Sequence, residues 1–276
     1  MSLMRVKGFA PAKINLTLHV TGRRADGYHL LDSLVVFADV GDALEFTPGP
    51  TLSMSVIGEH AEGVPTDDRN LVWKAAAAAR WTGHINLNKV LPHGGGIGGG
   101  SSDAAATLRM IADHGGAIPD ETALTLGADV PVCVAANATR MKGIGEQLQP
   151  VSLPRLPALL VNPGVEVPTG SVFSALQSRD NAPMPEKIPA FETPETCSNW
   201  LLAQRNDLET PTKNLASEVA RVLDDLSDTR DALMARMSGS GSTCFALYPT
   251  MNAAHFAAYE IGAAHPDWWC RATLLN

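Results

Sequence analysis

The 276-residue sequence predicts an α+β protein in two lobes. Three observations point to that class. Strand-like and helix-like stretches both recur along the chain. They do not follow the regular βαβ alternation of a parallel α/β sheet. The texture also changes after Pro150, where short apolar strands and a Pro-rich stretch replace a first half organised around glycines. The expected lobes are 1–152 and 153–276, long enough together for a substantial core.

The elements follow in chain order. "AKINLTLHV" places Ile14, Leu16, Leu18 and Val20 on one face and Lys13, Asn15, Thr17 and His19 on the other, the pattern of a half-buried strand. "LDSLVVFADVGDALEFTP" and "TLSMSVIG" read as further strands. "NLVWKAAAAARWTG" is alanine-rich and reads as a helix stopped by Gly83. "HINLNKVLP" is a strand candidate, and a helix from Ser102 to His114 follows, ended by Gly115 and Gly116. "LPALLVNPG" is a short apolar strand, "LASEVARVLDDL" an amphipathic helix, and "CFALY" a strand after the turn "MSGSGST". Residues 180–196, with Pro183, Pro185, Pro189 and Pro194, predict a mobile surface connection.

Composition narrows the classes. Hydrophobic residues make up 45% and charged residues 18%, ordinary globular values. A formal net charge of −8 argues against nucleic-acid binding through a basic surface. Cys133, Cys197, Cys244 and Cys270 form no C-x-x-C pair, so they read as reduced, mostly buried thiols in a cytoplasmic protein. "MSLMRVKGFAPAK" has no apolar segment of an export signal, and no long uncharged apolar run predicts a membrane span. A monomer or a weak homodimer suits the sequence.

The stretch "LPHGGGIGGGSSDAAATL", Leu91 to Leu108, holds six glycines directly before a helix. A flexible linker would continue in polar low-complexity sequence instead of feeding a helix. The first amides of a helix lack intrahelical partners, and the dipole adds positive charge there. Glycines let those amides approach phosphate oxygens without Cβ clashes. The expected cradle is Pro92, Gly94, Gly95, Gly96, Gly98, Gly99, Gly100, Ser101 and Ser102, with one of the serines as cap and hydroxyl donor to phosphate or magnesium. Gly100 stands where a Walker lysine would be, which excludes that motif. Gly94, Gly96 and Gly99 form G-x-G-x-x-G. The acidic residue about 20 positions on, Asp113, falls inside the predicted helix, which argues against a Rossmann site.

"LPHGGGIGGGSSDAA" resembles the phosphate loop of the GHMP kinases, the superfamily of galactokinase, homoserine kinase and mevalonate kinase. "PAKINLTLHVTGRRADGYHLLDSL", "GADVPVCV", "GIGEQLQPV" and "MSGSGSTCFALY" come in the order of its branch that acts on a diphosphocytidyl-methylerythritol. The resemblance spans nearly the whole chain. It implies a two-lobed fold with an active-site cleft between the lobes. It also implies an ATP- and Mg2+-dependent transfer to the 2-hydroxyl of 4-diphosphocytidyl-2-C-methyl-D-erythritol, within non-mevalonate isoprenoid synthesis. A homoserine or mevalonate kinase and a non-catalytic nucleotide-binding regulator are the alternatives. The first pair has no base to stack on "DGYH"; an intact Lys13 and Asp129 argue against the last.

The same resemblance implies the roles. Lys13 stabilises the transferring phosphate, with Asn15 projecting beside it on the substrate side. Asp129, which local chemistry alone would read as a turn or cap aspartate before Pro131, accepts or orients the hydroxyl proton. Tyr28 stacks the cytosine and His29 reads its edge, with Phe173 closing the other side of the base. Gly239, Ser240 and Gly241 close over the phosphates or brace the glycine loop, and Asn70 lies near the adenine. Asp103 reads as a helix N-terminal charge, and no carboxylate stands out as a magnesium ligand. His93 occupies a loop position where the family commonly has methionine, a swap expected to be tolerated and to add pH sensitivity. The Pro-rich stretch after Arg179 is the least family-like part.

Overall fold

The computed structural model describes residues 5–119 and 121–276. Residues 1–4, the start of the stretch read for an export signal, and Asp120 lie outside the described residues. The chain does not divide at one boundary near residue 152. One compact unit holds the strand leading to Lys13, Gly41–His93 and Gly98–Ala136; the other holds Ile14–Val40, Gly94–Ile97 and Asn137–Asn276.

In the first unit, β1 (Val6–Asn15) brings the chain to Lys13. The far half of the 20-residue β3 (His29–Pro48) pairs antiparallel with β5 (Gly83–Asn88), and β4 (Ser53–Ile57) lies parallel to β5. Helices α1 (Leu71–Ala78), α2 (Gly99–Asp113), α3 (Thr122–Leu126) and α4 (Val130–Ala135) pack on one another. Leu44, Phe46, Ile85 and Leu87 from the strands meet Val72, Ala76, Ala106 and Met110 from the helices in one core. Helix α1 ends at Ala78, five residues before the expected stop at Gly83. Arg80 takes the left-handed conformation (φ 53°), and the Trp81 N–H closes back on the Ala76 carbonyl at 2.9 Å. Gly83 instead opens β5, where a Cβ would lie 2.4 Å from the Thr47 carbonyl oxygen.

In the second unit, β8 (Leu156–Asn162) pairs on its two sides with β10 (Cys244–Leu247) and β11 (Trp269–Leu275), and β9 (Met234–Met237) extends the sheet. Helices α8 (Ser217–Asp228) and α9 (Met251–Ala264) cover it; Val219, Val222, Leu226, Ala254 and Ala257 bury against Leu159, Val161 and Ala246. The near half of β3 pairs with β2 (His19–Arg23) and β6 (Thr139–Gly143), β7 (Gln147–Pro150) pairs with β6, and α5 (Thr169–Ser174) packs on α7 (Glu209–Leu215).

Two expectations need correction. "AKINLTLHV" is two strands, and both faces are buried. The polar side chains are tolerated because they find partners: Thr17 Oγ1, for example, accepts from the Leu34 amide at 2.9 Å. Residues 180–196 are pinned. Arg140, buried, pairs with Asp32 at 2.6 Å and donates to the carbonyls of Met184, Pro185 and Glu186. Pro194 begins α6 (Pro194–Leu202) behind a capping box made by Thr193 and Thr196. The four cysteines are unpaired, three buried and Cys270 half-buried, as their spacing suggested.

Candidate active site

Helix α2 begins at Gly99, three residues before the expected serine start. Its N-cap is Gly98 in the left-handed conformation, φ 63°. The first intrahelical bond runs from the Ser102 amide to the Gly98 carbonyl, 2.8 Å. The amides of Gly99, Gly100 and Ser101 therefore stand ahead of the helical ladder as free donors at the positive end of the dipole. Neither serine is the cap. Ser102 is fully buried and donates its hydroxyl to the Pro11 carbonyl at 2.7 Å, so it is not placed to reach phosphate or metal.

Lys13 and Asp129, 116 residues apart in sequence, meet in this unit: Nζ donates to Oδ2 at 2.6 Å. Asp129 occupies the N-cap position of α4, yet its carboxylate makes no capping bond. The lysine takes it instead. Arg109 of α2 holds the two supporting elements, donating to the Cys133 carbonyl of α4 and to the Phe9 carbonyl of β1 at 2.8 Å. Lys13 is only 4% exposed, whereas the Asp129 side chain keeps 35% open. One carboxylate edge can thus face a substrate while the other is neutralised. A Cβ on Gly98 would come within 3.2 Å of the Lys13 Cβ and 3.4 Å of its Cε, so the lysine stem runs along the start of the amide cradle. Burial, reinforced by Asp129, pushes the nearby Cys133 thiol up to about 12, which removes it as a nucleophile.

The same unit holds a cluster that sequence reasoning missed. Lys89 Nζ donates to Asp42 Oδ2 at 2.5 Å and to Asp103 Oδ2 at 2.9 Å, all three buried. Asp103 is therefore a buried ion-pair member beyond the first turn of α2 and not a helix N-terminal charge. Burial pushes its carboxyl up to about 7 against the pull of Lys89. The only sequence signal was charge inside otherwise apolar strand runs, "VGDALEF" and "NLNKVL". Asn70 caps α1: Oδ1 accepts from the Val72 amide at 2.9 Å and Nδ2 donates to the Pro65 carbonyl at 2.8 Å. Pro92 is buried, while His93 is exposed, its ring edge-on to His60.

In the second unit, the turn after β9 braces the front of the glycine loop. Ser238 Oγ donates to the Gly96 carbonyl at 3.0 Å and the Thr243 amide to the Gly95 carbonyl at 3.0 Å. Gly239 and Gly241 both take positive φ; Ser240 Oγ pairs with Thr169 Oγ1 at 2.8 Å. Asn15 Nδ2 donates to Ser33 Oγ at 2.8 Å, while its Oδ1 is buried without a partner. His29 and Phe173 stack directly on each other, centroids 4.5 Å apart and planes at 19°. His29 Nε2 is shielded from solvent and unpartnered, and burial, helped by Arg23 and Arg179, lowers its pKa. Tyr28 lies in the adjoining turn, 59% exposed.

Among the described residues no group of three or more His, Cys, Asp or Glu side chains could hold an ion, and Ser102 is engaged elsewhere. No described helix is long and apolar enough to cross a membrane.

The loop, the amine–acid pair and the strand topology together define a class. Residues 70–145 match the GHMP kinases N terminal domain and residues 191–267 the GHMP kinases C terminal domain. Full-length relatives refine it. The chain is 56% identical to 4-diphosphocytidyl-2-C-methyl-D-erythritol kinase of Dinoroseobacter shibae, covering 98% of this chain and 95% of that one. It is 53% identical to the enzyme of that name from Cereibacter sphaeroides, over 95% and 96%. A crystal structure of 4-(cytidine 5'-diphospho)-2C-methyl-D-erythritol kinase superposes with a TM-score of 0.79 at 33% identity, over 98% and 99% of the two chains. Homoserine kinase from Cytophaga hutchinsonii, at 17% identity and a TM-score of 0.62 over 100% of this chain and 96% of that one, shares the fold. The chain is a GHMP kinase and, within that class, belongs to the 4-diphosphocytidyl-2-C-methyl-D-erythritol kinase family.

Proposed function

We propose that this chain transfers the γ-phosphoryl group of ATP to the 2-hydroxyl of 4-diphosphocytidyl-2-C-methyl-D-erythritol, a step of isoprenoid precursor synthesis. The single observation that carries the mechanism is the 2.6 Å Lys13–Asp129 pair beside the free amides of α2. Phosphoryl transfer asks a protein mainly for positioning and charge stabilisation. The amides of Gly99, Gly100 and Ser101 receive phosphate oxygens. Lys13 stabilises charge on the transferring group and holds the Asp129 carboxylate in place through the 2.6 Å bond, and Asp129 accepts or orients the hydroxyl proton. The Gly99–Ser101 amides and Lys13 would hold the triphosphate that magnesium accompanies, and the metal would supply further neutralisation of phosphate charge there.

In the second unit, the unpartnered His29 Nε2 and the exposed Tyr28 ring support recognition of cytosine by an edge hydrogen bond and by stacking. Phe173, stacked on His29, orients that ring. Asn15 Oδ1 is the remaining buried acceptor on the substrate side, and the 238–243 turn supports the loop. A cytoplasmic setting is supported by the four unpaired thiols. The test is a coupled ADP-release assay with the cytidyl substrate on wild type and Asp129→Asn. The expected result is a loss of about 10²–10⁴-fold in kcat with ATP binding retained. A variant that keeps most of its rate would remove Asp129 from this role.

A further inference from the structure

We propose that Lys89, tied to Asp42 and Asp103, is a positioning residue that clamps both ends of the glycine loop and places an ammonium behind the phosphate-binding amides. This rests on the kinase reading above and extends it to residues that touch neither substrate. Asp42 Oδ1 accepts from the Val90 and Leu91 amides at 2.6 and 2.9 Å, fixing the segment that enters the loop. Asp103, one turn into α2, fixes the segment that leaves it. Lys89 joins them at 2.5 and 2.9 Å. Its Nζ lies 3.2 Å from where a Cβ of Gly99 would sit, so the cation is packed directly behind the first free amide. A fold that needed only stability would gain as much from apolar side chains here, because buried ion pairs rarely repay their desolvation. Asp103 Oδ1 even remains buried without a partner. What the cluster does supply is a fixed loop neck and a charge at the anion site, the preorganisation that phosphate binding rewards.

The clamp is tested with Asp103→Ala, Asp103→Asn and the neutral pair Lys89→Gln with Asp103→Asn. ATP affinity is measured by calorimetry without the second substrate, and KM for each substrate and kcat by ADP release. Asp103→Ala is expected to weaken ATP binding at least tenfold while KM for the cytidyl substrate stays within twofold. Asp103→Asn, which still accepts from Lys89, is expected to restore most of the loss. The neutral pair keeps the net charge of the cluster and the shape of its side chains but removes the ammonium, and is expected to lose ATP affinity at least fivefold. It also decides the matter if Asp103→Ala does not fold. ATP affinity unchanged in the neutral pair, or Asn behaving like Ala, overturns the clamp. Wild type that binds ATP but releases no ADP with the cytidyl substrate overturns the kinase reading instead, and calorimetry still judges the clamp.

Discussion

Gly100 separates what the fold needs from what the ligand needs. It is the second residue of α2, helical and exposed. A Cβ there would meet only Leu71 Cδ1 at 3.8 Å, an ordinary contact. Replacing such a glycine by alanine stabilises a helix by roughly 0.4–1 kcal/mol, chiefly by lowering the entropy of the unfolded chain. For a protein of this size that raises Tm by about 1–4 °C. The new methyl would tilt toward the helix N-terminus, where the phosphates are proposed to lie. Losing one charge-assisted hydrogen bond costs about 1.5–3 kcal/mol, or roughly 10- to 150-fold in affinity. Gly100→Ala is therefore expected to melt higher yet show KM for ATP raised at least tenfold, read by thermal denaturation and the ADP-release assay. Gly96→Ala is the contrast. Its φ is +71°, and a Cβ would lie 2.4 Å from the Ser238 carbonyl and 2.8 Å from Gly241 backbone atoms. The left-handed strain and overpacking together cost roughly 2–5 kcal/mol. A Gly100→Ala enzyme that is more stable and binds ATP as before would refute the cradle.

The other expectations concern the second unit. Phe173→Ala removes a ring stacked on His29 and should raise KM for the cytidyl substrate about 2- to 12-fold, the worth of one aromatic pair; KM for ATP moving instead would sever Phe173 from base recognition. His19 is buried, its Nδ1 3.2 Å from the Ala182 carbonyl and its Nε2 facing the Arg205 amide at 3.4 Å. Burial and then Arg205 lower its pKa below 6.5, so between those two values the unfolded chain binds more protons than the native one. Its contribution is complete above pH 6.5 and is lost as pH falls toward the native pKa. Tm against pH should fall more steeply over that window in wild type than in His19→Gln, and identical slopes would contradict the sign.

Local pattern carried a good deal. The strand-like run of β3, the apolar run of β8 and the amphipathic face of α8 are all properties of neighbouring residues, and each element formed where its pattern lay. The glycine loop announced an anion site because free helix amides and the absence of Cβ atoms are local facts. Resemblance, not spacing, nominated Lys13 and Asp129 as a pair. The errors were also physical. An alternating strand looked half solvated because its polar face was satisfied by residues up to 186 positions away, as when His19 Nε2 accepts from the Arg205 amide. The Pro-rich stretch looked loose because the three Arg140 hydrogen bonds to its carbonyls, and the Asp32 carboxylate that takes the Met184 amide, could not be seen from its own composition.

By itself, then, the sequence determined the segments, the loop chemistry and the family, since those depend on nearest neighbours and on order along the chain. Tertiary structure alone decided which carboxylate an ammonium meets. It gave Asp129 to Lys13 and set Asp42 and Asp103 around Lys89, and it turned Ser102 inward to Pro11. Charge pairing and burial act across space, so partners distant in the chain become readable only once the backbone has brought them within a few ångströms.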